Sequence, residues 1–199
     1  MIYLARVPEV PAGQKAFLHK AAWALLGLAL GKKASRLADS LRFGPHGKPY
    51  LENGPHFSLS HTKGLVLCAV EEWNTGADGE YLRSFSPRLR ERVFTPEERE
   101  EALSSSSPDR AFTTLWTLKE SYMKLTGLGL AQGAETLRFR LEGGQPFLEG
   151  GQPFLEGGEA FFRTAVWEGY SISQCGEQPF AMEICPVDFH LLNLREDPQ

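Results

Sequence analysis

The sequence predicts a mixed α+β protein with antiparallel hairpins. Apolar and polar residues alternate over Phe57 to Ser60, as in a half-buried strand, and the turn residues Thr62 to Gly64 lead into the apolar run Leu65 to Val70. Two longer segments have helical character, namely the apolar stretch Ala21 to Leu30 and the amphipathic stretch Trp116 to Lys124. Strands joined by short turns, with helices elsewhere in the chain, indicate the α+β class.

The N-terminal part of the chain is predicted to contain one helix and three strands. The helix spans residues 13–30 and is followed by a loop rich in Gly and Pro that reaches Asn53. Two strands are predicted near residues 57–60 and 65–72, and a third lies near residues 76–80.

Two short helices are predicted next. The first covers residues 86–92. The second opens with Thr95 as its N-cap, Pro96 in the first helical position and Glu98 completing a capping box. This arrangement satisfies backbone amides that the first turn of a helix leaves without partners.

A long helix carries Trp116 to Lys124, after a break at residues 104–108. Asp109 can cap its N-terminus, and Gly127 or Gly129 is expected to end it. The remaining strands are predicted at residues 136–141, 161–167, 170–174 and 180–185.

Composition and charge exclude several classes of protein. The chain has 199 residues, which is enough to bury a core as one domain or as two small packed halves. Its net charge is −4 and no basic run exceeds two residues, so nucleic acid is not expected as a partner. Three cysteines without paired metal spacing are expected to be reduced thiols.

The sequence predicts a cytoplasmic protein without a membrane anchor. Residues 1–8 lack a basic region followed by a hydrophobic signal core. The longest apolar stretch, Ala21 to Leu30, has ten residues, which is too short to span a bilayer.

Two acidic residues stand one position apart on a predicted strand. Side chains at positions i and i+2 of a strand point to the same face, so Asp78 and Glu80 can present their oxygens to one cation. Carboxylate oxygens suit a hard divalent ion such as magnesium.

The long helix presents a charged face. Its apolar stripe consists of Leu115, Leu118, Tyr122 and Leu125. Glu120 and Lys124 lie on the opposite side, where they can take part in a site together. The alternative is a solvated helix face on which the two residues form an ordinary i,i+4 ion pair.

The turn after the first predicted strand of the hairpin concentrates hydrogen-bond donors. Ser60, His61, Thr62 and Lys63 follow one another there, and such donors suit phosphate oxygens. The alternative is an ordinary polar hairpin turn.

Five segments together resemble the 4'-phosphopantetheinyl transferases of the Sfp type. The segments are Gly47-Lys48-Pro49, Phe57-Ser58-Leu59-Ser60-His61, Gly76-Ala77-Asp78-Gly79-Glu80, Phe94-Thr95-Pro96-Glu97-Glu98 and Trp116-Thr117-Leu118-Lys119-Glu120-Ser121-Tyr122-Met123-Lys124. The resemblance covers roughly residues 40–140, and it rests on the order and spacing of several motifs instead of any single one.

The resemblance implies a fold and a reaction. Two similar small α/β halves would pack as a pseudo-dimer, with antiparallel sheets and a long helix in each half. Residues 1–75 would contact coenzyme A, and residues 76–199 would hold the metal and phosphate site. A monomeric enzyme of this family moves the 4'-phosphopantetheine arm of coenzyme A onto a serine of an apo acyl or peptidyl carrier protein, in fatty acid, polyketide or peptide synthesis. It releases adenosine 3',5'-bisphosphate.

The resemblance also implies a role for each matched site residue. Asp78, Glu80 and Glu120 would hold Mg2+ on the pyrophosphate. Lys124 and Lys119 would meet the phosphate charge. Glu120 is the candidate base for the serine proton, although it can equally be only a metal ligand, and Lys124 is its catalytic partner.

The nucleotide end of coenzyme A would be met by residues of the N-terminal half. The resemblance places Lys48 and His61 there, with His61 near the 3'-phosphate and Ser60 beside it. Family members often add basic residues from the N-terminal stretch, but no arginine of this chain has a clear counterpart. Possible substitutes, which we do not assign to the site, are Lys15, Lys20, Lys32 and Lys33.

One residue departs from the pattern of the family. The position between the two acidic residues is usually apolar and often β-branched, and here it is Gly79. Glycine weakens a strand interior or marks a bulge, so metal binding by Asp78 and Glu80 is in question. An alternative function is therefore a catalytically weakened module that binds coenzyme A or a carrier protein. A metal-dependent phosphohydrolase is a third hypothesis.

Two surface features are candidates for carrier-protein contact. The arginines Arg83, Arg88, Arg90 and Arg92 form either a docking patch or a solvated helix face. The segment Glu142 to Leu148 is repeated without change at residues 149–155, and it is too rich in Gly and Pro for regular structure. We interpret residues 142–158 as a lengthened hairpin loop and a neutral expansion, the alternative being contact through Phe147 and Phe154.

Overall fold

The computed structural model describes residues 1–8, 14–32, 37–142, 145–149 and 159–194. The helices are α1 (Gln14–Ala29), α2 (Pro87–Val93), α3 (Pro96–Ser104) and α4 (Pro108–Thr126). The strands are β1 (Ile2–Arg6), β2 (Leu41–Phe43), β3 (Pro49–Leu51), β4 (His56–Thr62), β5 (Leu65–Glu71), β6 (Thr75–Tyr81), β7 (Phe139–Glu142), β8 (Gln145–Leu148), β9 (Phe161–Trp167), β10 (Tyr170–Gly176) and β11 (Ile184–Pro186). Short 3-10 turns cover Gly129–Gln132, Ala134–Thr136 and Phe189–Leu192.

Two larger sheets, each covered by one long helix, form the body of the molecule, and the hairpins β2–β3 and β7–β8 are separate two-stranded sheets. The first sheet has the strand order β11-β1-β5-β4, and α1 packs on β4 and β5. The second has the order β6-β10-β9, and α4 packs on β6 and β10. Every strand pair is antiparallel except β1 with β11. The predicted α+β class, with a long helix in each half, is confirmed.

An apolar layer joins the two sheets. Leu4, Leu65 and Leu67 of the first sheet pack with Ala77 and Ile172 of the second, and all five are buried. Next to this layer, β4 runs beside β6, although the two strands belong to different sheets. The contact between β4 and β6 is therefore made by side chains, and we call it the seam.

The helix ends follow the predicted signals in two of three places. The capping box forms, because Thr95 accepts a bond from the amide of Glu98 while the Glu98 carboxylate accepts one from the amide of Thr95. Helix α4 ends at Gly127, whose φ of 75° suits glycine. The prediction that Asp109 caps α4 is wrong, because Asp109 lies within the first turn and accepts a bond from Ser84 at 2.7 Å.

Several strands differ from the prediction. The strand expected at residues 136–141 begins only at Phe139, after a 3-10 turn, and the strand expected at 180–185 is β11, which pairs in parallel with β1. Strand β1 and the β2–β3 hairpin were not predicted. Their short lengths and mixed polarity provide little periodicity from which a strand can be recognised.

The repeated segment is partly ordered. Gln145–Leu148, in the first copy, forms β8 and pairs with β7, which corrects the expectation of an irregular loop. Proline is tolerated there because β8 pairs on one side only, and Pro146 needs no amide on its open edge. Phe147 is half-buried, whereas Phe154 and the rest of the second copy beyond Glu149 lie outside the described residues.

Two further expectations concern the membrane and the cysteines. Across the part of the chain that is described, no helix is long and apolar enough to cross a membrane. Cys68 and Cys175 are buried free thiols and Cys185 is a half-buried free thiol, as expected.

Candidate functional site

A cleft opens where the end of β4 and the middle of β6 face helix α4. Its volume is about 340 Å3. Six of the residues singled out in the sequence line this cleft, namely Ser60, His61, Asp78, Glu80, Glu120 and Lys124. The fold therefore brings together residues that are up to 64 positions apart in the chain, from Ser60 to Lys124.

Strand β6 presents its two acidic side chains in a regular conformation. Asp78 pairs with Ser173 of β10, and the next ladder position pairs Gly79 with Ile172, so β6 has no bulge. A β-carbon at Gly79 would overlap the Leu67 side chain, at 2.5 Å, and crowd that of Ile172, at 3.0 Å. Glycine is thus explained by the close packing of the two sheets behind the acidic pair.

A second glycine sets the distance between β6 and α4. A β-carbon at Gly76 would overlap the backbone carbonyl of Ser121 and the amide of Leu125. Because Gly76 has no side chain, the helix backbone lies directly on the strand. This close approach brings Glu120 and Lys124 to the same cleft as Asp78.

Lys124 forms an ion pair with Asp78. Its Nζ donates to Asp78 Oδ1 at 2.7 Å and to the carbonyl of Ala77 at 3.2 Å. The ion pair considered between Lys124 and Glu120 is not formed, because the ammonium turns across the cleft toward the strand.

Glu120 has no hydrogen bond or ion pair among the described residues, although it is largely shielded from solvent. Burial, followed by the negative charge of Asp78, raises the pKa of Glu120 to about 7, and Lys124 opposes this shift. Three carboxylates therefore face one another across the cleft, with Lys124 beside Asp78 and the guanidinium of Arg83 3.9 Å from Glu80. The excess negative charge is what a bound cation would relieve.

Hydroxyl groups of β4 hold the two carboxylates of β6. Ser60 donates to Asp78 Oδ1 and Thr62 donates to Glu80 Oε1, both at 2.6 Å. Ser60 thus lies beside Asp78. Thr62 was named from the sequence only as one of the turn donors that suit phosphate oxygens, but it lies two residues after Ser60 on the same strand face and binds the Glu80 carboxylate.

His61 stands at the edge of the cleft next to helix α1. Its ring meets the ring of His19 edge-on at 6.2 Å between centroids, and the indole of Trp23 donates to His19 Nε2 at 3.1 Å. Burial, then the positive charges of His19, Lys124 and Lys15, lower the pKa of His61. His19 and Lys15 are basic neighbours of this site that the sequence did not assign, and they lie one turn apart on α1.

Lys48 lines a second cavity of about 260 Å3 that shares Leu59 and Lys124 with the cleft. Its Nζ donates to Asn74 Oδ1 at 2.6 Å and to the carbonyl of Leu125 at 2.9 Å, at the C-terminal end of α4. Burial lowers its pKa to about 8. Lys48 therefore lies beside the cleft, with its ammonium bound to the end of the helix.

Lys119 does not reach the cleft, which corrects its assignment to a phosphate. Its side chain is fully buried, and Nζ lies 2.7 Å from the Glu98 carboxylate. The same ammonium donates to the carbonyls of Val93, Ala134 and Leu137. Lys119 lies on the opposite side of α4 from Lys124, and its bonds hold α4 against neighbouring segments of the C-terminal half.

The arginines after β6 divide into two kinds. The guanidinium groups of Arg83 and Arg90 lie 4.5 Å and 4.6 Å from the rings of Phe85 and Phe112. Arg83, Arg88 and Arg92 are exposed, and Arg90 is half-buried. Arg83 and Arg90 therefore have ring partners within the chain, but only Arg90 is withdrawn from the surface.

The donor set of the cleft fits a hard divalent cation in kind. Asp78, Glu80 and Glu120 offer oxygen ligands, and their mutual repulsion favours a cation between them. As they stand, no three acidic, His or Cys side chains in the described ranges are arranged to hold a metal ion. Two of these carboxylates are turned toward hydroxyl and ammonium partners.

Comparison with known proteins identifies the family. A model described as the 4'-phosphopantetheinyl transferase superfamily matches residues 74–182. The 4'-phosphopantetheinyl transferase psf-1 of Bacillus pumilus is 35% identical over 108 residues, which cover 52% of this chain and 46% of the relative. The 4'-phosphopantetheinyl transferase Sfp of Bacillus subtilis (strain 168) is 28% identical over 153 residues, which cover 74% of this chain and 67% of the relative.

Among solved structures, the holo-[acyl-carrier-protein] synthase (AcpS) from Neisseria meningitidis is 17% identical with a TM-score of 0.46, covering 53% of this chain and 98% of that chain. The chain spans about half the length of the first curated relatives it matches. The segment matched by the family model contains Asp78, Glu80, Glu120 and Lys124 and takes up more than half of the 199 residues, and the chain belongs to the 4'-phosphopantetheinyl transferase superfamily.

Proposed function

We propose that this protein transfers the 4'-phosphopantetheine group from coenzyme A to a serine hydroxyl of an apo acyl or peptidyl carrier protein, in a magnesium-dependent reaction that releases adenosine 3',5'-bisphosphate. The observation that carries the proposal is the convergence of Asp78, Glu80, Glu120 and Lys124 on one cleft. The superfamily match supports this class of reaction, and the relatives are named for it.

The transfer reaction requires groups of the kind that this cleft contains. A serine oxygen attacks phosphorus while a bisphosphate leaves, so negative charge on the phosphoryl oxygens must be neutralised. Lys124 is within reach of that charge because it already binds the Asp78 carboxylate inside the cleft. Glu120 has a pKa of about 7, which suits a carboxylate that takes the serine proton near neutral pH.

Asp78, Glu80 and Glu120 are the residues that would hold magnesium. The ion supplies positive charge to the pyrophosphate oxygens when it is bound. If Glu120 serves as a cation ligand instead of a base, it does not accept the serine proton, and this proton passes to solvent. The two roles of Glu120 are separable by experiment, because a base affects the pH profile and a ligand affects cation affinity.

The nucleotide end of coenzyme A is assigned to residues 1–75. His61 is flanked by His19 and Lys15, so this edge of the cleft is basic and suits a phosphate group. The cavity beside Lys48 adjoins the cleft and has the volume for part of a nucleotide. Residues 76–199 then provide the metal and phosphate site, while β11 returns to the first sheet.

The proposal is tested with purified protein, coenzyme A, Mg2+ and a panel of apo carrier proteins. The intact mass of each carrier is followed, beside a Glu120→Gln variant. We expect one carrier to gain a single phosphopantetheinyl group, and the variant to lose this activity. Because the family is defined by such transfer, a panel covering fatty acid, polyketide and peptide carriers also identifies the pathway.

The outcomes separate the three functions considered from the sequence. If coenzyme A binds and no carrier gains mass, the protein is a binding module. If the pyrophosphate of coenzyme A is cleaved without any carrier, it is a phosphohydrolase. The packing that explains Gly79 gives no structural reason to expect a weakened site.

A further inference from the structure

Three hydroxyl side chains of β4 face β6 in a row. They belong to Ser58, Ser60 and Thr62, which alternate along the strand and therefore lie on one face. We call them the hydroxyl row. Its first member bonds only backbone, since the Ser58 hydroxyl accepts from the amide of Ala77 at 2.9 Å. Its other two members donate to carboxylates, as described above.

The hydroxyl row replaces backbone pairing at the seam. Strands β4 and β6 belong to different sheets, so no ladder of backbone bonds fixes their relative positions. The bonds from Ser60 to Asp78 and from Thr62 to Glu80 are each 2.6 Å long. Bonds of this length to an ionised acceptor are among the stronger hydrogen bonds in proteins. Each carboxylate of β6 is thus held by one residue of the N-terminal half.

Each of these carboxylates has one engaged oxygen and one open oxygen. Asp78 Oδ1 accepts bonds from Ser60 and Lys124, and Glu80 Oε1 accepts bonds from Thr62 and the amide of Tyr81. Among the described residues, no side chain or amide donates to Asp78 Oδ2 or Glu80 Oε2. The hydroxyl groups therefore fix which oxygen of each carboxylate is left for a ligand.

We propose that Ser60 and Thr62 are positioning residues that orient Asp78 and Glu80 to bind a hard divalent cation. The cation site of the C-terminal half is then completed by hydroxyl groups of the N-terminal half, across the seam. This inference rests on the proposed function for the identity of the cation. Groups that hydrogen-bond metal ligands orient them, and their removal commonly weakens metal binding 10- to 100-fold.

The test measures cation affinity directly, with Mn2+ as the probe. Mn2+ prefers the same oxygen ligands as Mg2+, and the free ion is quantified by electron paramagnetic resonance. Titrations are made on the full chain without nucleotide and again with coenzyme A, always without a carrier protein so that no turnover occurs. The variants are Thr62→Val, which keeps the shape and removes the hydroxyl, Thr62→Ser, which restores a hydroxyl, and Ser60→Ala.

Ser58→Ala is the matched control, because it removes a hydroxyl of the same row that touches no carboxylate. We expect Thr62→Val and Ser60→Ala to weaken Mn2+ binding roughly 10-fold or more, while Thr62→Ser stays within about 3-fold of the parent. Ser58→Ala is expected to unfold more easily and to bind Mn2+ normally in the titration without nucleotide, which is the control condition because Ser58 also lines the cavity beside Lys48.

Three results would overturn the inference. They are unchanged Mn2+ affinity in Thr62→Val and Ser60→Ala, equal weakening in Ser58→Ala, and no Mn2+ binding by the parent protein under either condition. Failure of the proposed function gives a different pattern. In that case the parent and the variants follow the expected order of Mn2+ affinities, and no carrier protein gains mass.

Discussion

Gly76 lies so close to the backbone of Ser121 that a β-carbon on the glycine would overlap the serine carbonyl. The first residue belongs to β6 and the second to α4, which carries Glu120 and Lys124. Their contact joins the two elements that provide the acidic residues and the lysine of the cleft. The geometry of the site therefore depends on one position without a side chain.

Gly76→Ala is expected to move α4 away from β6. The neighbour is backbone, which cannot rotate aside, so the helix must shift, and the loss of stability is about 2 kcal/mol or more. A displacement of about 1 Å at a catalytic group commonly lowers the rate roughly 100-fold. Urea unfolding and the rate of carrier modification measure the two effects.

Gly44→Ala is the control for Gly76→Ala, because a β-carbon at Gly44 meets only the carbonyl of Lys48 at an ordinary contact distance of 3.6 Å. It should leave the transfer rate unchanged. A Gly76→Ala protein with normal stability and a normal rate would show that α4 does not depend on this contact.

Gly79→Ala is expected to destabilise the protein through side chains instead of backbone. The added methyl group meets a methyl of Leu67 and the end of Ile172, at 2.5 and 3.0 Å. Overpacking of this kind costs about 1 to 3 kcal/mol, and Leu67→Ala in the same chain should recover part of it by opening space. A double-mutant cycle in urea measures the coupling, and strict additivity of the two changes would contradict the assignment.

The sequence predicted the α+β class and most of the residues that lie together in the cleft, but not every strand around them. Six of the residues singled out for binding or catalysis line one cleft, because strand alternation and helix period determine which way each side chain points. The helix motif that identified Glu120 and Lys124 also led to the wrong assignment of Lys119. A local motif does not show whether a charged residue has a buried partner such as Glu98, which is 21 positions earlier in the chain.

Several features set by distant contacts were missed or misplaced. The strand predicted at residues 180–185 covers only Ile184–Pro186, because it is a strand only where it pairs with β1, at the opposite end of the chain. His19 was missed because its proximity to His61 arises from the packing of α1 on β4. Gly79 appeared to be a weakness of β6, and the packing of Leu67 from the first sheet and of Ile172 against it explains the residue.

The variants Lys119→Met and Lys124→Met are expected to differ in their effects, because Lys119 is a structural lysine and Lys124 is a catalytic one. Burial lowers the pKa of Lys119 and raises that of Glu98, and the charge of each partner opposes both shifts. Removal of Lys119 leaves a buried carboxylate and three carbonyls without their donor, at a cost of about 3 to 5 kcal/mol. Lys124 is half-buried at the cleft, so its loss should lower transfer far more than stability.

Unfolding in urea and the transfer rate per folded molecule distinguish these two lysines. Where Lys119→Met unfolds during purification, its expression level and circular dichroism at low temperature give the same comparison. A Lys119→Met protein that is as stable as the parent and fails to bind coenzyme A would restore Lys119 to the phosphate site.

Lys48 is expected to make stability rise with pH in the alkaline range. Burial lowers its pKa from 10.5 to about 8 in the folded protein, whereas the unfolded chain keeps the ordinary value. Between these two pH values the unfolded chain binds more protons, so the free energy of unfolding increases as pH rises. The contribution is on the order of 3 kcal/mol across the window.

The free energy of unfolding is measured for the parent and for Lys48→Met at pH 7.5 to 10.5. The difference between the two proteins at each pH cancels the titration of all other groups. The methionine keeps most of the stem that covers Gly127, so the comparison isolates the ammonium. Lys20→Met, at an exposed position of α1, is the control and should show no such trend. A difference that stays flat or falls with pH would mean that the bonds to Asn74 and Leu125 stabilise the charged ammonium more than burial opposes it, and Lys48 would then be a fixed cation at the end of α4.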